Sequence, residues 1–199
     1  MKNEEAVQIM KSNPFALLIT VNEHRPLATH IPLEIREDEG KIYATGHIAY
    51  GNMQKKTLDN NSDVLLIFQG QHAYISSSWY QCEEVPTWDY LAVHAYGSAR
   101  LITEDELISS LDTMLNHYEG HRENGRTWET FDPELLKSEM KGIVGFEIEI
   151  TSIQAAAKMS QNRNDIDYKA IITELEKSNE QGEIQVAQWM REQRKGSIE

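Results

Sequence analysis

The spacing of apolar residues changes period several times along the chain, and each change predicts an element. "NEEAVQIMKS" reads as a short helix, with Asn3 as N-cap and Glu4 and Glu5 in the first turn. "PFALLITVN" reads as a buried strand, and "HRP" as a turn. "LATHIPLEI" then alternates: Leu27, Thr29, Ile31, Leu33 and Ile35 on one face, Ala28, His30, Pro32 and Glu34 on the other. Pro32 marks an edge or a bulge. "EDEG" is a turn and "KIYATG" a third strand, so the pattern is a meander.

"HIAYGNMQKKTLDNN" reads as a loop entering a short helix. "SDVLLIFQG", "HAYIS" and the long "YLAVHAYGSARLI" are strands. Thr103 and Glu106 have the spacing of a capping box. The helix it opens carries Leu107, Leu111, Met114 or Leu115, and Tyr118 as its apolar stripe, and Gly120 breaks it. After the polar "GHRENGRTW", "DPELLKSEMKG" has Asp at the N-cap, Pro at the first helical position and Gly past the end. "IVGFEIEITSIQ" alternates again as a strong strand.

Six or seven strands in hairpin order, with helices between and after them, predict an α+β fold. Its antiparallel sheet is expected to form a barrel rather than a doubly wound sheet. Ile171, Ile172 and Leu175, then Ile184, Ala187 and Met190, fall at helical spacing among charges. Residues 166–199 are therefore expected to be a C-terminal helical appendage ending in a loose tail, and residues 1–165 the barrel domain.

Composition narrows the function classes. Of 199 residues 40% are hydrophobic and 26% charged, enough for a folded core. The net charge of −13 disfavours direct DNA binding, which draws on basic surfaces. No apolar run is long enough for a membrane span. The first residues lack the pattern of a secretory signal, and the single Cys82 leaves no internal disulfide framework. A cytoplasmic protein is expected.

Candidate chemistry lies elsewhere. There is no phosphate P-loop or dinucleotide fingerprint. His117 and His121 are four apart, but "HYEGH" is not a metalloprotease motif, and no metal site is expected. Cys82 sits beside Glu83 and Glu84, which disfavour a thiolate. Three polar clusters remain at strand ends: "ATHIP" (Ala28–Pro32), "GHIAYGN" (Gly46–Asn52) and "KMSQNRND" (Lys158–Asp165). Singly, each reads as turn capping. Residues 69–100 add four of the eight tyrosines, two of the four tryptophans and two of the seven histidines. Together these features suit a planar heterocycle, which takes amides and hydroxyls at its edge and flat groups on its face.

"ATHIPL", "GHIAYGN", "FQGQHAYISSSWY", "VPTWDYLAVHAYG", "IVGFEIEI" and "KMSQNRND" resemble, in this order, the motifs of the PaiB family. These are proteins of the FMN-binding split-barrel fold, described as negative transcriptional regulators. The fold is similar to that of pyridoxamine phosphate oxidases and flavin reductases. The resemblance implies a Greek-key split barrel, a homodimer, and FMN at the subunit interface, walled by the aromatic stretch. By position it implies that Thr29 and His30 lie along the flavin ring. Gly46, His47, Ala49 and Asn52 are implied near the phosphate and ribityl chain, with Lys158, Ser160, Gln161 and Asn162 reaching the cofactor. Three positions depart from the pattern: Tyr50 stands for the usual Arg, Met53 for Pro, and Asp89 for Asn.

The leading expectation is an FMN-binding protein in which the ring supplies any redox chemistry. No acid–base pair fixes a substrate, so turnover is left open. Two other readings compete. One is a regulatory or interaction protein that does not retain FMN. The other is a split-barrel enzyme holding haem or another ligand through a histidine.

Overall fold

A computed structural model describes residues 2–59 and 62–194. The tail expected after Arg194 lies outside the described residues.

Helix α1 (Asn3–Ser12) buries Ala6, Val7 and Met10. It starts at Asn3 itself rather than after it. Strands β1 (Phe15–Asn22) and β2 (Arg25–Pro32) form a hairpin in register Phe15↔Pro32 to Asn22↔Arg25. The turn falls on Glu23 and His24, one residue earlier than "HRP". Both have positive φ, 47° and 68°, the geometry of a two-residue type I′ loop that matches strand twist. Strands β3 (Glu34–Asp38) and β4 (Lys41–Ala49) repeat the device through Glu39 and Gly40, with φ of 48° and 78°.

The alternating segment 27–35 is therefore not one strand. It breaks at Leu33, whose N–H donates to Pro14 O at 2.9 Å. With β5 (Ser62–Ile75), β6 (Thr87–Leu101) and β7 (Ile143–Lys158), the strand order is β2-β1-β5-β6-β7-β4-β3. The first and last strands of that order are joined by Leu33 alone. A sheet whose two edges are one residue apart in the chain must curl until they meet, and this closes the barrel. Gly46 makes the corner possible. A Cβ there would lie 2.8 Å from Leu33 Cδ2 and 3.3 Å from Pro32 O.

β1 pairs antiparallel with β5, and β4 with β7. The "HAYIS" segment is not a separate strand but the end of β5. Its buried face changes parity between Gly70 and Ala73, which hides the continuity from a period-two reading.

The chain divides into two compact units. One gathers Asn3–Phe68 and His94–Gln154; the other gathers, among the described residues, Lys2, Gln69–Val93 and residues 155–194. The first unit's core includes Leu18, Leu66, Phe68, Phe146 and Ile148, all fully buried. Helix α2 (Glu104–Glu119) has the expected capping box: Glu106 N–H donates to Thr103 Oγ1, and Thr103 N–H donates to Glu106 Oε2. Gly120 caps its end. Helix α3 (Pro133–Met140) starts behind the Asp132 cap, as expected.

In the second unit, α4 (Asp165–Glu176) and α5 (Gln181–Gln193) pack through Ile171, Ile172, Leu175, Val186, Ala187 and Met190. Val186 is buried where Ile184 is only half-buried. Tyr168 locks the pair by donating its hydroxyl to Met190 O at 2.9 Å. No helix among the described residues is long and apolar enough to cross a membrane.

Candidate functional site

In the first unit the structure brings Thr29 and Asn52 together. Asn52 caps the 3-10 turn Met53–Thr57: its Oδ1 accepts the Gln54 N–H at 2.9 Å, and its Nδ2 donates to Thr29 Oγ1 at 3.1 Å. The same turn is anchored beneath by Gln54. That buried side chain donates to Leu18 O and Thr20 Oγ1, and Thr57 donates to Thr20 Oγ1 at 2.7 Å. The segment 50–56 is thus held rigidly on β1 and β2.

This arrangement leaves donors over. An asparagine amide has two N–H groups, and only one goes to Thr29. Thr29 accepts that bond, so its own O–H stays available to donate. Lys55 Nζ lies 3.4 Å from the centroid of the Tyr50 ring, and Tyr50 is 58% exposed. The departure from Arg at position 50 therefore comes with an ammonium held over the tyrosine that replaces it. A hydroxyl, an amide N–H and an ammonium are a donor set that fits a phosphate ester.

His30 is separated from this group. Thr29 and His30 are adjacent on β2 and their side chains point to opposite faces. His30 stacks on the exposed Phe15, with ring centroids 5.7 Å apart and planes at 22°. Gly46 and Ala49 are paired to β7, opposite Phe146 and Ile143, and Gly46 is accounted for by the barrel corner.

His47 opens on a different place. It lines a cleft of about 310 Å³ between β2, β3, β4, α1 and α2, with Glu34, His117 and Tyr118. Burial pushes its imidazole below the ordinary range, so it is neutral near pH 7. Burial likewise pushes the Glu34 carboxyl up, against smaller attractions from His117 and Arg36. Glu34 and His117 carry no motif; only the fold assembles them.

The second unit holds the other expected group. Lys158 Nζ donates to Trp88 O at 2.8 Å and to Thr87 Oγ1. Ser160, at φ 53°, donates to Asp89 Oδ2 at 2.6 Å. Gln161 accepts the Met159 N–H at 2.7 Å and donates back to Ala157 O. Lys158 and Ser160 thus tie the segment to β6, Gln161 holds its own turn, and Asn162 stays exposed. Asp89, which stands where the family pattern has Asn, is fully buried. Its carboxyl is pushed up by burial, against the Ser160 hydrogen bond and the charges of Lys158 and Arg163. Among the described residues no three His, Cys, Asp or Glu side chains gather to hold a metal ion.

The antiparallel sheet with peripheral helices has the split-barrel fold, which it shares with flavin-binding proteins of known structure. The FAD and heme binding protein from Mycobacterium smegmatis shares the fold, with TM-score 0.57 and 14% identity over 85% of this chain and 78% of that one. The flavocytochrome Anf3 from Azotobacter vinelandii aligns with TM-score 0.58 and 15% identity, over 85% of this chain and 74% of that one. Within the class, residues 1–152 match the family described as "Putative FMN-binding domain", and the chain belongs to that family. It is 47% identical over 195 residues to "Protease synthase and sporulation protein PAI 2" of Bacillus subtilis (strain 168), covering 98% of this chain and 94% of that protein. The expected PaiB relationship is thereby established.

Proposed function

We propose that this chain binds FMN and that the Thr29 hydroxyl, the Asn52 amide and the Lys55 ammonium would hold its phosphate. The observation that carries the reading is the Asn52–Thr29 hydrogen bond, which fixes the segment 50–56 with donors to spare. Membership of an FMN-binding domain family supports it. When bound, FMN supplies hydride or single-electron transfer. The chain's part is to fix the phosphate: Gln54 and Thr57 tie the turn down, and Tyr50 positions the Lys55 charge.

A homodimer belongs to the same reading. In the second unit His72, Tyr74, Trp88 and Tyr90 are exposed together on β5 and β6, and Trp88 Nε1 donates to His72 Nδ1 at 3.3 Å. Tyr and Trp are enriched in interface cores, where charged residues are depleted. The exposed, free Cys82 suits the reducing cytoplasm. With a net charge of −13, a regulatory role would run through a protein or small-molecule partner rather than through direct DNA contact.

The test is an FMN titration by fluorescence quenching on the full chain and on Lys55→Ala. The variant is expected to bind about one to two decades more weakly and with a shallower salt dependence. No quenching of FMN by the original protein at about millimolar levels would overturn the reading.

A further inference from the structure

The cleft under α2 is not used by the phosphate donors described above, and its chemistry differs from theirs. Pro14, Pro32, Leu33, Ile35 and Met114 give it apolar walls. The Glu34 carboxylate stands among them with no hydrogen bond or ion pair to its side chain among the described residues, and its burial outweighs the attractions of His117 and Arg36. A cation does line the cleft, but it is already matched: Lys11 Nζ lies 2.7 Å from Glu37 Oε1. His47 is kept neutral by burial and offers a hydrogen bond rather than a charge. The Tyr118 ring, in edge contact with His117 at 4.7 Å, adds an aromatic surface of the kind that favours cations. The three potential ligands Glu34, His47 and His117 do not converge as a metal site.

A carboxylate in an apolar cleft is costly when alone and favourable when a cation enters, because the pair then forms where water is scarce. A volume of about 310 Å³ holds about ten water-sized volumes, the size of a small organic molecule and larger than a single ion. We propose that the cleft lined by Glu34, His47, Met114, His117 and Tyr118 is a second binding site, for a small organic monocation: an alkylammonium or amidinium group on an apolar body. Glu34 takes the charge, the apolar walls take the body, and His47 accepts or donates one hydrogen bond. None of the phosphate donors Thr29, Asn52 and Lys55 lines the cleft; Gly46 and His47, which the family resemblance sets near FMN, do line it, so competition with FMN is part of the test.

The experiment is isothermal titration of the flavin-free full chain with n-hexylammonium, n-hexanol and n-hexanoate. Hexylammonium is expected to bind one to one. Hexanol is expected to bind about tenfold more weakly, for loss of the charge-assisted contact, and hexanoate not measurably. Glu34→Gln should lower the hexylammonium affinity about tenfold while leaving the melting temperature close to the original. Thr113→Trp, placed on the exposed rim of α2, fills the cleft without touching the core and should abolish binding. The proposal is overturned if hexylammonium does not saturate below about 10 mM. It is equally overturned if hexanoate matches hexylammonium, if both variants bind like the original, or if FMN displaces the amine.

Discussion

Ser160 donates its hydroxyl to Asp89 Oδ2 at 2.6 Å, and the two residues are only 5% and 0% exposed. The other carboxylate oxygen, Oδ1, is buried with no hydrogen-bond partner. One bond therefore holds Ser160 in its left-handed conformation at the cost of a buried, half-satisfied carboxyl. Asp89→Ala leaves the Ser160 hydroxyl unpaired and is expected to lower stability by about 1–3 kcal/mol, read as the urea midpoint. The pH dependence has a definite sign. The folded-state pKa is raised above the ordinary 3.8, so between the two values the folded chain holds a proton that the unfolded chain has lost. Stability from this group falls as pH rises through that window. Asp89→Asn should flatten that part of the profile; an identical profile would show that burial of the charge is not felt.

Glu106 slopes the other way. The Arg100 guanidinium, at 2.7 and 3.1 Å, and the Thr103 N–H hold its carboxyl down at about 2. Its contribution is full above the ordinary 4.5 and is lost as pH falls towards about 2. The pair is partly exposed, so Glu106→Gln is expected to cost no more than about 1 kcal/mol at neutral pH. That difference should vanish in acid, which denaturant melts of both proteins across pH would test.

The β1–β2 turn is built from residues ill suited to it. Glu23 and His24 both occupy positive φ, which costs an ordinary side chain about 1–2 kcal/mol per residue. Replacing them with Asn and Gly, the favoured type I′ pair, should raise stability by about 1–2 kcal/mol. An unchanged thermal midpoint would mean that the turn relaxes without strain.

Tyr50→Arg tests the phosphate reading from the other side. A guanidinium at position 50 supplies a bidentate partner that the tyrosine cannot. FMN affinity is expected to rise by about tenfold, measured by fluorescence quenching against the original protein. Nanomolar binding by the original, unchanged by the substitution, would show that position 50 does not face the phosphate.

Much of the local structure was legible because its causes are local. The Thr103–Glu106 capping box, Asp132 before Pro133 and the Gly120 stop each act within one helical turn, and each falls where expected. The break at Leu33 was not legible, because period-two alternation runs straight through it. What breaks the strand is the meeting of two sheet edges, together with the Leu33 bond to Pro14. The parity change in β5 misled in the opposite way, splitting one strand into two.

By itself, the sequence determined the α+β class, the hairpin order, the helix ends and, through its motifs, the family. These follow from periodicities and caps that span a few residues, and from long, unusual residue strings. The tertiary structure decided which polar residues meet. It set Asn52 against Thr29, 23 positions apart, and placed Lys55 over the tyrosine that stands for an arginine. It tied Lys158 to Trp88 O, turned Gln161 onto its own turn, and set Ser160 on the buried Asp89, 71 positions away. It also gathered Glu34, His47 and His117 around one cleft. These meetings depend on barrel closure and strand register, which no short window of the chain contains. A one-residue shift of strand register would send Thr29, Glu34, His47 and Asp89 to the opposite face.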